Sequence, residues 1–522
     1  MKDHSGGECR RWSRDMLEKP KKCAAGIINW IAVILLSLVL GANLLRTSSV
    51  SYDNSELVTY RQSFEYLFSI PVIIVALIFT LILFKSREAK KLYTCFALIY
   101  IVAGLYLILN TGSFIRADAR TVWKSAISVR NGDFSSPDFS NYFRKFPYQL
   151  GFLTYDLILN WFSEDEKILF FTNLTEVLII NWFGYKIIDK LFKNQTVIKI
   201  GLFMEFAFIP QFLFIMFGYG IIPGFCFLMM GIYSFISYYQ EENLKNAVLM
   251  ITCFTIAALL KPNYKIGMIA CEVVLVLKIN RDWRQVLKRL GTVILLFVCV
   301  IGSPCLIKII YSGISGIDIG DGTPIAVFIA MGTDIDNEVR GPGWWDESTT
   351  NALAEANYDT ELASHNAIIK LQNSINKSIS NPRETGEFYW RKILSTWCEP
   401  MFQSAWSGPI KISGENPVEK DLLVSLYSGG KVEKVIAAFS KGIVILIFAS
   451  SLHFVLKRKD YPEIMALYLY FIGGFIFHFF SETKSQYVYM YVFAMIPMCA
   501  YEAEKMIRWS YLRLGSILKC HV

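Results

Sequence analysis

Asp118 lies about nine residues beyond the end of an apolar run, inside the polar stretch Asn110–Gly151. A carboxylate so placed can take the proton of a hydroxyl as a new bond forms. It can also hold a divalent metal beside a leaving phosphate. A third role is structural: an Asp before the amphipathic run Ala119–Val129 caps free backbone N–H groups. Capping and catalysis are compatible. Asp133 and Asp138 are candidates for a second carboxylate, but Gly132-Asp133 and Ser136-Pro137-Asp138 read more simply as turns. An aromatic cluster follows, with Tyr142 and the step Phe146-Pro147.

Three other groups carry chemistry. In Leu260-Lys261-Pro262-Asn263-Tyr264, the lysine can neutralise a phosphate as a point charge. It can equally be a snorkelling side chain before a proline that ends a helix. In His478–Tyr487, Glu482, Lys484 and Tyr487 can bind a sugar or a phosphate, or simply keep a hairpin wet. Between 312 and 434 stand Trp344, Trp345, Trp390, Trp397 and Trp406. Exposed indoles stack on sugar faces; buried ones fill a small core. Glu176, Glu205 and Glu272 fall within or near apolar runs. They suit hydrogen bonding in a bundle interior better than a proton path.

The elements that must position these residues are set by composition. Of 522 residues, 54% are hydrophobic and only 18% charged, against about 25% charged in soluble chains. That excludes an ordinary soluble globule and leaves an all-α polytopic membrane protein. Twelve apolar runs are long enough to span, or nearly so: Ala24–Leu45, Phe68–Phe84, Leu92–Leu109, Ile168–Ile187, Ile198–Phe217, Ile221–Tyr238, Ala247–Leu260, Ile266–Leu277, Thr292–Tyr311, Val435–Leu456, Ile464–Phe480 and Val488–Tyr501. Tyr148–Phe162 is short and holds Asp156 and Asn160, so it reads as re-entrant or interfacial. The organisation expected is a basic leader (1–23), a membrane bundle (24–311) with an outer loop (110–167), an outer lobe (312–434), further membrane helices (435–504) and a tail (505–522).

Orientation follows from Lys and Arg in the short loops. The leader, Lys85–Lys91, Lys186–Lys199, Lys278–Arg289, Lys457–Lys459 and the Lys505–Lys519 tail all fall on one side, which predicts cytoplasmic termini in the plasma membrane. Asn110–Lys167, Tyr219–Pro223, Lys261–Tyr264, Ser312–Lys434 and Ser481–Gln486 then fall on the outer face. The net charge of +8 matches basic cytoplasmic loops. No basic stripe with interleaved aromatics points to nucleic acid. The eleven cysteines are scattered, with no disulfide framework and no metal-ligand spacing. No cofactor is assigned, and a divalent metal at the acid stays open, its identity unassigned.

With these pieces placed, the chain resembles the multi-spanning glycosyltransferases of the GT-C fold. Within them it is most similar to the family-39-type bacterial envelope proteins, relatives of protein mannosyltransferases and of lipid A aminoarabinose transferases. Asp118 matches the family's acid on a long outer loop. Gly132-Asp133, Tyr142 and Phe146-Pro147 match the loop's continuation, Lys261-Pro262-Asn263 an outer step, and Glu482, Lys484 and Tyr487 a late element. The Met331-Gly332 and Gly341–Trp345 region is similar to the family's outer lobe. The resemblance runs from about Leu92 to Tyr501, by layout more than identity. Two features depart from it. Ala119 follows Asp118 where many relatives carry a second acid. An extra pair of spans also precedes the loop, which makes Tyr52-Asp53-Asn54-Ser55-Glu56 a rival site. The resemblance implies a polyprenyl-phosphate-sugar donor held in the bilayer and transfer with inversion. The acceptor would be a hydroxyl of an envelope glycan, glycolipid or protein. The competing readings are a polysaccharide polymerase or ligase, for which the outer lobe has few arginines, and a lipid-linked-sugar transporter, for which paired repeats are lacking.

Overall fold

The structure, a computed structural model, describes residues 5–52, 55–112, 115–278, 282–337, 339–409, 420–457 and 461–520; the side chains of 5–18, 137–138 and 511–520 lie outside that description. Among the described residues, eight helices are long and apolar enough to cross a bilayer. They are Lys19–Leu45, Tyr66–Leu83, Ala89–Leu109, Lys167–Phe192, Ile221–Glu241, Trp283–Ser315, Lys431–Leu456 and Pro462–Phe480. This is a multi-pass, all-α membrane protein. Its outer surface fits a lipid solvent: Val75, Phe79, Ile82, Ile99, Val102, Ile294 and Val298 are all exposed.

Four of the twelve expected spans take another form. The run Ile198–Phe217 is two segments, Gln195–Ala207 and Ile209–Met216, bent by 50°. Pro210 stands at the start of the second, where its ring and missing N–H break the helix. Leu244–Leu260 and Lys265–Leu277 have 17 and 13 residues, about 26 and 20 Å at 1.5 Å per residue. That is short of the roughly 30 Å hydrocarbon core. The last run divides into Tyr489–Phe493 and Ile496–Cys520. Pro147–Gln149 and the 11-residue helix Leu150–Asn160 occupy the short polar-bearing stretch. At about 16 Å that helix does not span. Its Asp156 and Asn160 are wholly buried.

The chain also holds a two-stranded antiparallel ribbon, which the helical periodicity did not announce. Arg46–Val50 pairs with Val58–Gln62 in the register Arg46↔Gln62 to Val50↔Val58. Thr47, Val50, Val58 and Thr59 are β-branched and suit a pleated surface. The ribbon is stitched to the segment 312–434: Ser48 N donates to the Cys398 carbonyl at 3.2 Å and Val58 N to the Arg340 carbonyl at 2.9 Å. That segment's helices are Ile325–Thr333, Ser348–Glu355, Thr360–Ser380 and Pro382–Trp397.

Three buried lysines join helix ends. Lys199 Nζ donates to the Phe84 carbonyl at 2.9 Å. Lys441 Nζ reaches Asn43 Oδ1 at 2.8 Å and the Arg46 carbonyl at 2.9 Å. Lys392 Nζ reaches the carbonyls of Phe479 at 3.0 Å, Ser481 at 2.9 Å and Gly332. Helix C-termini leave carbonyls unsatisfied and carry partial negative charge, so a buried ammonium there is compensated without a carboxylate.

The two ends of the bundle differ. Glu242 binds Lys278 at 3.1 Å and also binds Arg289, and Lys190 binds Glu241 at 2.5 Å. The helix Leu244–Leu260 runs from this knot of basic loops to Lys261 at its other end.

Candidate functional site

Two adjoining cavities, of about 430 and 310 Å³, share Asp118, Phe146, Tyr219, Trp345, Glu482 and Tyr487. The first is completed by Glu56, Arg116, Arg340, Trp406 and Lys484. The second is completed by Tyr148, Gln149, Lys261, Asn263 and Lys265, with Ile325, Phe328 and Phe477 as apolar lips.

Asp118 does not cap its helix. The helix Ala117–Arg130 has Arg116 in the cap position, without a side-chain capping bond, and Asp118 sits in its first turn. Capping would need Asp118 one or two residues earlier and in an extended conformation. Ala117 carries φ 49°, a left-handed conformation costly for a residue with a Cβ. The strain lies directly beside the acid, which lines both cavities. Its carboxyl is open to the cavity while protein surrounds it on the other sides. Burial raises its pKa above the usual carboxylate range, and the ammonium groups of Lys484 and Lys261 oppose the rise. The Tyr142 hydroxyl sits beside the Asp118 carboxyl, short of a formed hydrogen bond.

Lys261 falls at the break between two helices, in extended backbone before Pro262. It is 9% exposed. Its ammonium lies 4.2 Å from the Tyr219 ring centroid and 5.0 Å from that of Tyr487. Burial lowers its pKa to about 8, against the pull of Glu482 and Asp118. The faces of two aromatic rings stabilise a cation without neutralising it.

Glu482, Lys484 and Tyr487 come from the turn after Pro462–Phe480. Glu482 N donates to the Phe328 carbonyl at 3.1 Å and Thr483 N to the Gly343 carbonyl at 3.0 Å. Ser485 Oγ donates to Glu399 at 3.1 Å. Gly332 packs so closely on Ser481 that a Cβ there would strike the Ser481 backbone. Burial raises Glu482 to about 7, with the negative charge of Asp118 adding to the rise and Lys484 and Lys261 opposing it. Lys392, behind this turn, is lowered by burial to about 7.

Glu56 organises the other wall. It is 2% exposed and accepts from Lys484 at 2.8 and 2.9 Å, and from Arg340. The rival first loop thus contributes to the same cavity rather than to a separate one. Asp53 lies outside the described residues.

The remaining candidates divide. Asn263 and Trp345 line the cavities. Trp344 is completely buried and donates from its indole to Ser395 at 3.2 Å, so it has no face to offer a ligand. Asp133 accepts from Ser135 N at 2.9 Å and Ser135 Oγ at 2.7 Å, the turn its sequence suggests, and does not line either cavity. Asp138 lies in the first turn of Pro137–Lys145, with its side chain outside the described part. Of the acids in apolar runs, Glu176 accepts from Tyr155 at 2.9 Å and Glu205 packs against Gly184. Sequence reasoning did not assign Arg116, Arg340, Tyr148, Gln149 or Tyr219 to the site. The adjacency of Arg116 to Asp118 was the one available signal.

Among the described residues no three His, Cys, Asp or Glu side chains gather as a metal site. Of the three acids lining the cavities, Glu56 is taken up by Lys484 and Arg340, and Asp118 and Glu482 share their walls with Lys261 and Lys484; that donor set does not fit a divalent cation. No known family model and no curated protein matches this chain.

Proposed function

We propose that this protein is a membrane glycosyltransferase of the GT-C type. It would move a sugar from a polyprenyl-phosphate-linked donor to a hydroxyl of an envelope glycan, glycolipid or protein on the outer face. The observation that carries the reading is the convergence of Asp118, Lys261, Glu482 and Lys484 on one pair of joined cavities. A base, cations for a leaving phosphate and aromatic walls for a sugar are what such a transfer requires. The apolar lips Ile325, Phe328 and Phe477 suit a donor whose tail stays in lipid.

In this reading the donor phosphate sits at Lys261. Asp118 takes the proton of the acceptor hydroxyl as its oxygen attacks the anomeric carbon. The bond from that carbon to the phosphate oxygen breaks, and polyprenyl phosphate leaves with both electrons of the bond. Attack opposite the leaving group inverts the centre. Counting the bent pair, the two shorter apolar helices (their length made up by local thinning of the bilayer and by flanking residues) and the divided last run as crossings gives about twelve spans, with both termini cytoplasmic. The test is incubation of purified protein with a panel of polyprenyl-phosphate sugars and hydroxyl acceptors. Release of polyprenyl phosphate by the wild type but not by Asp118→Asn is expected; release unchanged by that substitution removes the assignment.

A further inference from the structure

Arg116 is a buried cation without a carboxylate of its own. It is 9% exposed, its guanidinium lies 3.8 Å from the Trp406 ring centroid, and it donates to the Trp406 carbonyl. Among the described residues no carboxylate comes within ion-pair distance of it. The nearest acid in charge terms is Glu56, which Lys484 and Arg340 already occupy. Burial lowers Arg116 to about 10. A guanidinium has five N–H donors; over the Trp406 ring, with one donor given to the Trp406 carbonyl, Arg116 keeps others for a carboxylate or phosphate.

Its position says whose anion this would be. Arg116 lines only the first cavity, Lys261 only the second, and Asp118 lines both. If the donor phosphate leaves on the Lys261 side, inversion brings the attacking hydroxyl from the other side of the sugar, past Asp118. We propose that Arg116 and Trp406 form a second anion subsite, which holds a carboxylate or phosphate carried by the acceptor sugar. This rests on the sugar-transfer reading above. The second phosphate of a diphosphate-linked donor has the same chemistry and is the rival source.

The probes are glucose, glucuronate and glucose 6-phosphate, titrated into purified protein in detergent with tryptophan fluorescence as readout. The wild type should bind the two anionic sugars at least about tenfold more tightly than glucose, as a lost charge-assisted hydrogen bond is worth that or more. Arg116→Gln should erase the preference, and Arg116→Lys should restore part of it. If the Gln variant does not fold, the Lys variant alone must show a reduced preference. A wild type that does not distinguish charged from neutral sugars overturns the subsite; so does a substituted Arg116 that keeps the full preference. Repeating the titration with undecaprenyl phosphate or undecaprenyl diphosphate bound separates the sources. A preference that survives both lipids supports the acceptor; one that the diphosphate alone abolishes overturns that assignment and gives the subsite to the donor. Anion binding with no transfer from any donor would sink the enzyme reading while leaving the subsite. Transfer to neutral and anionic acceptors alike, unaltered in its preference by Arg116→Gln, would do the reverse.

Discussion

Both carboxylate oxygens of Glu56 lie within 2.9 Å of the Lys484 ammonium, although 428 residues separate the two. Arg340 completes the group from the segment between the sixth and seventh long helices. Glu56→Gln leaves two cations without their shared counter-charge, and breaking a buried pair in this way costs about 3–5 kcal/mol. Removing Lys484 as well should recover part of the loss. Thermal unfolding of Glu56→Gln, Lys484→Met and the double variant checks this; strictly additive losses would mean that the pair is not coupled.

Because Asp118 is in the first helical turn and not the cap, Asp118→Asn and Asp118→Ala should both fold. The loss of a favourable charge near the helix N-terminus costs only about 0.3–1 kcal/mol. Transfer should fall on the order of a hundred- to ten-thousand-fold in both. Parallel measurements of melting temperature and turnover decide the matter. An active Asn variant would move the base to Glu482.

The rate should follow a bell in pH. The base must be ionised, so the rate rises as pH climbs past the pKa of Asp118, which burial holds above the ordinary range. Lys261 must be cationic to hold the phosphate, so the rate falls as pH passes about 8. Lys261→Arg keeps its charge at every accessible pH and should carry the falling limb upward. A limb that stays near 8 in that variant belongs to another group.

Glu482 makes a separate forecast about stability. Its folded pKa is about 7 against an ordinary 4.5. Between those values the folded state keeps a proton that the unfolded state has released, so stability drops as pH rises through that window. Glu482→Gln has no proton to lose. The difference in melting temperature, variant minus wild type, should therefore grow from pH 4.5 to pH 7 and level off above. A flat difference would contradict it.

Trp344 and Trp345 should separate cleanly. Trp344→Ala empties a fully buried site and should cost about 3–5 kcal/mol. Trp345→Ala should leave folding nearly intact and weaken acceptor use several-fold, since a stacked ring is worth about 0.5–1.5 kcal/mol beyond its area. Apparent KM for acceptor, read beside melting temperature, distinguishes the two.

The long helices were legible because an apolar run is a direct consequence of a lipid solvent; most of the eight spans start and stop near the runs, while Trp283–Ser315 begins nine residues before its run, in the basic stretch ahead of it. The bend at Pro210 was readable but was absorbed into a longer run. The candidate acid stood out as a carboxylate a short way past an apolar stretch and before an amphipathic run. Its neighbours did not. Glu56 and Lys484 meet only when the first and last quarters of the chain pack together, and no local period encodes that. Trp344 and Trp345 look identical in sequence, and only the direction each leaves the Gly341–Gly343 loop makes one core and the other cavity wall. The ribbon at Arg46–Val50 is too short for its alternation to stand out beside a 41-residue helix.

Lys441 ties Asn43 to a helix made 398 residues later. At roughly 5–20 residues per second of synthesis, the first helix waits about 20–80 s for that clasp. Through that interval Asn43 lacks the ammonium that later meets it. The clasp on the first helix can therefore close only after most of the chain has been made, so the end of that helix is secured late in synthesis.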